Sequence, residues 1–113
     1  MYGLPKDFDG GFLVGRTLEL VCFARYQMYL HFDEKVIITV ESAFSYNASG
    51  VVDVPVGESN LMELVGAVVL AATGDDGGTL SLLFDNGQTV KVYDTSRQYE
   101  SYTIAHGGKK ITV

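Results

Sequence analysis

The sequence predicts a mainly β domain, built of antiparallel meanders and hairpins that form a curled sheet, a barrel or a sandwich, with one short helix. Three observations lead there. Valine, isoleucine, threonine, tyrosine and phenylalanine recur in short runs, the composition that suits a pleated, half-buried surface. Several of these runs alternate apolar and polar residues with a period of two. Thirteen glycines against only two prolines separate them, as turns between strands require. Roughly seven to nine strands fit at the spacing of a sandwich or barrel. A closed or strongly curled sheet follows because open edges invite pairing with other chains.

The strongest local signal is a hairpin. Thr79–Phe84 and Gln88–Tyr93 flank Asp85-Asn86-Gly87. A two-residue Asn86-Gly87 loop would set Leu82 opposite Lys91 and mix apolar with polar residues on each face. A three-residue loop pairs Leu80 with Val92 and Leu82 with Val90, and sends Ser81, Lys91, Leu83 and Thr89 to the other face. Facing residues share a face, so the second register segregates the strands far better. It places Gly87 in the left-handed region, at a type I turn closed by a bulge.

The other elements follow in order. Residues 1–11 end in Asp9-Gly10-Gly11 and read as a lead-in loop. Phe12–Phe23 reads as the first strand, with Leu18, Leu20 and Cys22 on one face. Ala24-Arg25 is a turn. Tyr26, Met28, Leu30 and Phe32 then alternate with Gln27, Tyr29 and His31. Asp33-Glu34-Lys35 turns the chain into Val36–Glu41, and the three strands form a meander. Ser42–Tyr46 continues that strand or starts another. Val51–Val54 is short, and Pro55 ends it or puts it on an edge. Glu58–Val65 is the helical candidate, with Asn60 and Glu63 as a capping box and Gly66 as terminator. At one or two turns it must lie against the sheet to be stable. Ala67–Thr73 is continuously apolar and reads as a central strand. After the hairpin, Gln98–Ala105 is a strand, and Gly107-Gly108 turns it into Lys110–Val113. Neither repeats nor linkers interrupt residues 1–113, which read as one domain.

The totals narrow the function classes. A chain of 113 residues that is 47% hydrophobic can bury a core of ordinary domain size. Its formal charge is −6 and its pI about 4.6. That balance argues against nucleic acid and against an anionic membrane surface as partners, since both attract cations. A basic protein partner is compatible with it. A single cysteine, Cys22, permits no internal disulfide and fits a reducing compartment. With no apolar signal core at the N-terminus and no run long enough to span a bilayer, the expected location is the cytoplasm.

No catalytic or metal-binding constellation stands out, and no cofactor is implied. His31 shares the polar face of its strand with Gln27 and Tyr29, where it reads as a solvated histidine or as part of a binding surface. His106, before Gly107-Gly108, reads as a turn residue. Two histidines far apart and one cysteine do not match a metal-site spacing. Cys22 reads as a small buried hydrophobe, because a nucleophilic role needs a neighbouring histidine and an exposed thiolate. Asp75-Asp76 lacks the spaced oxygen ligands of a calcium loop. The glycine pairs open no phosphate loop. In the run Tyr99-Glu100-Ser101-Tyr102, Glu100 either orients a ligand or pairs at the rim of the sheet, while Tyr102 and Ile104 pack inward. Tyrosine is a rigid amphipathic anchor at interfaces, so Tyr99, Glu100 and Tyr102 join Gln27, Tyr29 and His31 as the candidate interaction surface.

The segments Leu80–Val92 and Gln98–Ile104, followed by Gly107-Gly108-Lys109, resemble a family of small bacterial proteins of unknown function. Its members share a strand–Asp–Gly–strand hairpin, a Tyr-Glu-Ala/Ser-aromatic run and a glycine-rich close. Leu4-Pro5, Gly10-Gly11 and residues 17–40 are compatible with the family's first half. Tyr102 stands where many relatives have tryptophan, and the glycine-rich close is shorter than theirs. The resemblance supplies neither an activity nor catalytic residues. In size, acidity and all-β character the chain is also similar to immunity proteins of bacterial toxin systems, an analogy at the level of fold. The expected function is therefore a non-enzymatic protein-interaction module of the bacterial cytoplasm, binding a basic partner or a second copy as a homodimer. The alternative is a small-molecule-binding barrel or minor enzyme, its mouth lined by tyrosines with Glu100 or His31 as the polar anchor.

Overall fold

A computed structural model describes residue 4 and residues 8–46, 52–53, 61–95 and 101–113. Among these residues ten strands form two antiparallel five-stranded sheets that pack face to face. The first contains β1 (Leu18–Phe23), β2 (Met28–Phe32), β3 (Ile37–Val40), β9 (Tyr102–His106) and β10 (Lys109–Thr112), in the order β1-β2-β3-β9-β10. The second contains β4 (Ala43–Tyr46), β5 (Val52–Asp53), β6 (Val69–Gly74), β7 (Leu80–Phe84) and β8 (Thr89–Val92), in the order β5-β4-β8-β7-β6. The sheets do not close into a barrel. Only 3-10 turns, Gly10–Phe12 and Leu61–Leu64, represent helix among the described residues. The second occupies part of the expected Glu58–Val65 helix, whose first residues and Asn60 cap lie outside the described set. Gly66, at φ +97°, ends it as expected.

Period-two alternation builds the core. Met28, Leu30 and Phe32 of β2, Ile38 and Val40 of β3, and Tyr102 and Ile104 of β9 point into the sandwich. Phe44, Leu80, Leu82, Phe84, Val90 and Val92 face them from the second sheet. Burying one such side chain contributes about 1.5–3 kcal/mol, so the inward faces fix which residues point outward. Among the described residues these side chains form one core cluster between two sheets that stay open at their edges.

The β7–β8 hairpin has the expected register. Leu80 pairs with Val92, Leu82 with Val90, and Leu83 with Thr89. The Phe84 amide donates to the Gln88 carbonyl at 2.9 Å, and the Gly87 amide to the Phe84 carbonyl at 3.0 Å. Gly87 sits at φ +83°. The β1-β2-β3 meander is also as expected, and β4 starts a new strand in the second sheet rather than continuing β3. Short β5 lies on an edge.

Several expectations about the elements are corrected. The first strand begins at Leu18, not Phe12, because residues 10–17 form a 3-10 turn and a loop with Gly15 at φ +85°. Tyr26 is 65% exposed in the β1–β2 turn. The apolar run after Ala67 forms β6, an edge strand with Leu70 exposed, rather than a central one. His106 ends β9 rather than occupying a turn.

One corner joins the sheets. Residues 15–18 pair with residues 66–69 through four backbone bonds: Gly15 N to Val69 O and Gly66 N to Leu18 O at 2.7 Å, and Val69 N to Arg16 O and Leu18 N to Ala67 O at 2.9 Å. Beside this corner both edge strands carry an extra residue. On β1 the register shifts between Leu18 and Leu20, and on β6 between Val69 and Ala71. Bulges coil a strand and let it turn a corner. The β1 bulge also reverses the phase of the strand, so Val21 rather than Leu20 is buried and Cys22 faces outward. This overturns the reading of Cys22 as a core residue.

Gly10 lies against β6 so closely that a Cβ there would stand 2.4 Å from the Ala72 carbonyl oxygen. Gly10→Ala should lower the unfolding free energy by about 1–3 kcal/mol through overpacking, as measured by urea denaturation. The β2–β3 turn gives the opposite test. Glu34 and Lys35 both have positive φ, +57° and +60°, in a two-residue turn that glycine and asparagine fill with less strain. Lys35→Gly should raise the unfolding free energy by about 0.5–1 kcal/mol in the same assay.

Candidate functional site on the outer face of the first sheet

The phase that buries Met28, Leu30 and Phe32 turns Gln27, Tyr29 and His31 to the outer face of the first sheet. The same rule turns out Ile37 and Thr39 from β3, Glu41 just past its end, and Thr103 and Ala105 from β9. In the ladder, Cys22, Tyr29, Thr39 and Thr103 form one row, and Leu20, His31, Ile37, Ala105 and Lys110 the next. All of these but Leu20, with Gln27 and Glu41, line a shallow groove of about 670 Å³.

A hydrogen-bond chain fixes the upper end of this groove. The Tyr29 hydroxyl donates to Gln27 Oε1, and Gln27 Nε2 donates to Glu41 Oε1 at 2.8 Å. The Tyr29 and His31 rings lie tilted at 6.1 Å. Glu41 and Lys110 put opposite charges at different parts of the lining. Half-buried Cys22 lies across from Tyr29, and His31 on the diagonal. The Ile37 and Ala105 side chains supply an apolar floor. Chemically, this is a surface of ordered donors and acceptors around one aromatic ring. Among the described residues, no group of three or more His, Cys, Asp or Glu is placed to hold a metal ion.

Of the six expected surface residues, Gln27, Tyr29 and His31 come together here. Tyr99 and Glu100 lie outside the described residues. Tyr102 is elsewhere: it is fully buried, and its hydroxyl donates to the Gly78 carbonyl at 2.7 Å. Its even parity faces the core, and the bond ties β9 to the loop before β7. Next to it, the Ser101 hydroxyl donates to Asp94 Oδ1 at 2.8 Å. The Ser-Tyr part of the tyrosine run is therefore a latch between the sheets rather than an interaction surface. Gly78, at φ +85°, makes room for Asp94 in this cluster.

Glu41, Thr39 and Thr103 were absent from the expected surface. Parity along β3 already sets Thr39 and Glu41 opposite Val40, but the position of β9 beside β3 pairs residues more than sixty positions apart and leaves no local signal.

A family model described as "Family of unknown function (DUF6188)" matches residues 12–113. The chain belongs to this family. The match covers all ten strands, the groove and the Tyr102 latch. No curated protein and no solved structure matches the chain. Among the described residues no helix is long and apolar enough to cross a membrane.

Burial, and secondarily the charge of Asp75, push the Tyr102 phenol above the usual tyrosine range. The folded state therefore holds this proton more tightly than the unfolded chain. Its stabilising effect is complete below about pH 10 and is lost as pH rises from there through the folded-state value. Tyr102→Phe should cost about 1–3 kcal/mol at pH 7, since it leaves the Gly78 carbonyl unpaired. The difference between the two proteins in urea unfolding should shrink above pH 10.

Proposed function

We propose that this domain is a non-enzymatic protein-interaction module that docks its partner on the outer face of the first sheet, around Tyr29. The supporting observation is the Tyr29–Gln27–Glu41 chain, which orders an aromatic side chain and its polar neighbours on an open, half-buried face. Rigid tyrosines within a frame of satisfied polar groups are what interface centres use. The shallow shape of the groove favours a broad partner surface over an enclosed small molecule, and two open sheets favour it over a site in a barrel mouth. The net charge of −6 favours a basic partner. A bacterial cytoplasmic setting and a role like that of toxin-immunity proteins belong to this reading, as does a second copy of the chain as partner.

The test is affinity capture under native conditions, read by native mass spectrometry. Wild-type protein should retain one stoichiometric protein partner, and Tyr29→Ala should retain it at least about tenfold less, the loss expected for a central tyrosine. Because Tyr29 points away from the core, the variant should keep the wild-type melting midpoint. A bare monomer, or a mass increment of a few hundred daltons with no protein partner, would contradict the proposal.

A further inference from the structure

A second concavity lies away from this face, between the 3-10 turn at Gly10–Phe12 and the β9–β10 hairpin. It has a volume of about 550 Å³. The contact of Gly10 with Ala72 clamps the turn to β6 and sets Phe12 over the end of β9. There the Phe12 and His106 rings stack at 3.8 Å between centroids and 12° between planes. Phe8 meets Phe12 edge-on at 6.3 Å, and Ile111 completes the apolar wall. Lys109 is the cross-strand partner of His106, which puts both side chains on one face of the hairpin. Lys110 borders both this cleft and the outer groove.

The charge here runs against the molecule. The chain carries −6 overall, yet among the described residues the cleft has two lysines against one aspartate, Asp9. Asp9 Oδ1 already accepts from the Gly11 amide at 2.9 Å, which caps the 3-10 turn. Both lysines are exposed. Edge-strand lysines discourage pairing with other chains. That role alone gives no part to the stacked rings beside them.

We infer that this cleft binds a small anion, a carboxylate or phosphate, carried on a flat apolar body. The body would lie against the Phe12–His106 stack, and the anionic group would meet the Lys109 and Lys110 ammonium groups. Offset ring contacts and charge-assisted hydrogen bonds supply the attraction. The inference is independent of the docking face.

The two histidines make the test specific, since His106 lines this cleft and His31 lines the groove. Phenylphosphate and benzoate are each titrated into the full chain while both imidazole signals are followed by NMR. Inorganic phosphate and benzyl alcohol serve as controls. At least one aromatic anion should shift His106 saturably, with a dissociation constant of about 1 mM or tighter, and leave His31 unmoved. Whichever of the two binds more tightly identifies the anionic group. Inorganic phosphate and benzyl alcohol should each bind at least tenfold more weakly. The Lys109→Gln/Lys110→Gln variant should lose at least tenfold in affinity while keeping its melting midpoint. Phe12→Leu should weaken the aromatic anions and leave the response to inorganic phosphate unchanged. No saturable shift at His106, equal shifts at both histidines, or unchanged affinity in the lysine variant would overturn the inference.

Discussion

The corner where residues 15–18 pair with residues 66–69 is the constraint on which the rest of this molecule depends. Four backbone bonds hold the start of β1 to the approach to β6, although these belong to different sheets. Two flat sheets cannot share such a corner without local coiling, and each edge strand accommodates it with one extra residue. The β1 bulge then decides which side chains the strand offers to each side. Val21 goes to the core, while Leu20 and Cys22 go outward. The composition of the outer groove thus follows from how the two sheets are joined.

The second link between the sheets starts at the N-terminal end of β9. Tyr102 spans the interior and ends on the Gly78 carbonyl, and Ser101 reaches Asp94. Buried hydroxyls must find partners, and this one does so on a turn that only a residue tolerant of positive φ fills easily. The sequence resemblance was read from the β7–β8 hairpin and the tyrosine run. In the structure the hairpin lies at the centre of one sheet, and Ser101 and Tyr102 form the latch that reaches that sheet from the other. What looked like a recognition motif is, at Ser101 and Tyr102, part of the architecture.

Much of the fold was legible because it rests on alternation and on turn chemistry. The β7–β8 register followed from segregating Leu80 and Leu82 from Ser81 and Lys91, and the meander followed from the β2 pattern. Gln27, Tyr29 and His31 were legible as a surface for the same reason. Cys22 was misread because a bulge inserts one residue without any marker in Leu18–Phe23, and a period-two count continues through it. The edge position of β6 was missed because an apolar run does not reveal what covers it. Here the 3-10 turn at Gly10–Phe12 packs on that strand. The outer groove was half legible: β2 and β3 are neighbours in sequence, whereas β9 arrives from the far end of the chain.

The most direct test of the docking face is partner retention by protein carrying a bulky maleimide on Cys22, the chain's single thiol. The predicted result is that Cys22 labels while the protein is folded, and that the labelled protein loses at least about tenfold in retention of its protein partner, because the adduct stands across the strand from Tyr29. A thiol that reacts only after unfolding would contradict the outward phase of β1. A labelled protein that holds its partner as well as the unlabelled one would contradict the assignment of this face.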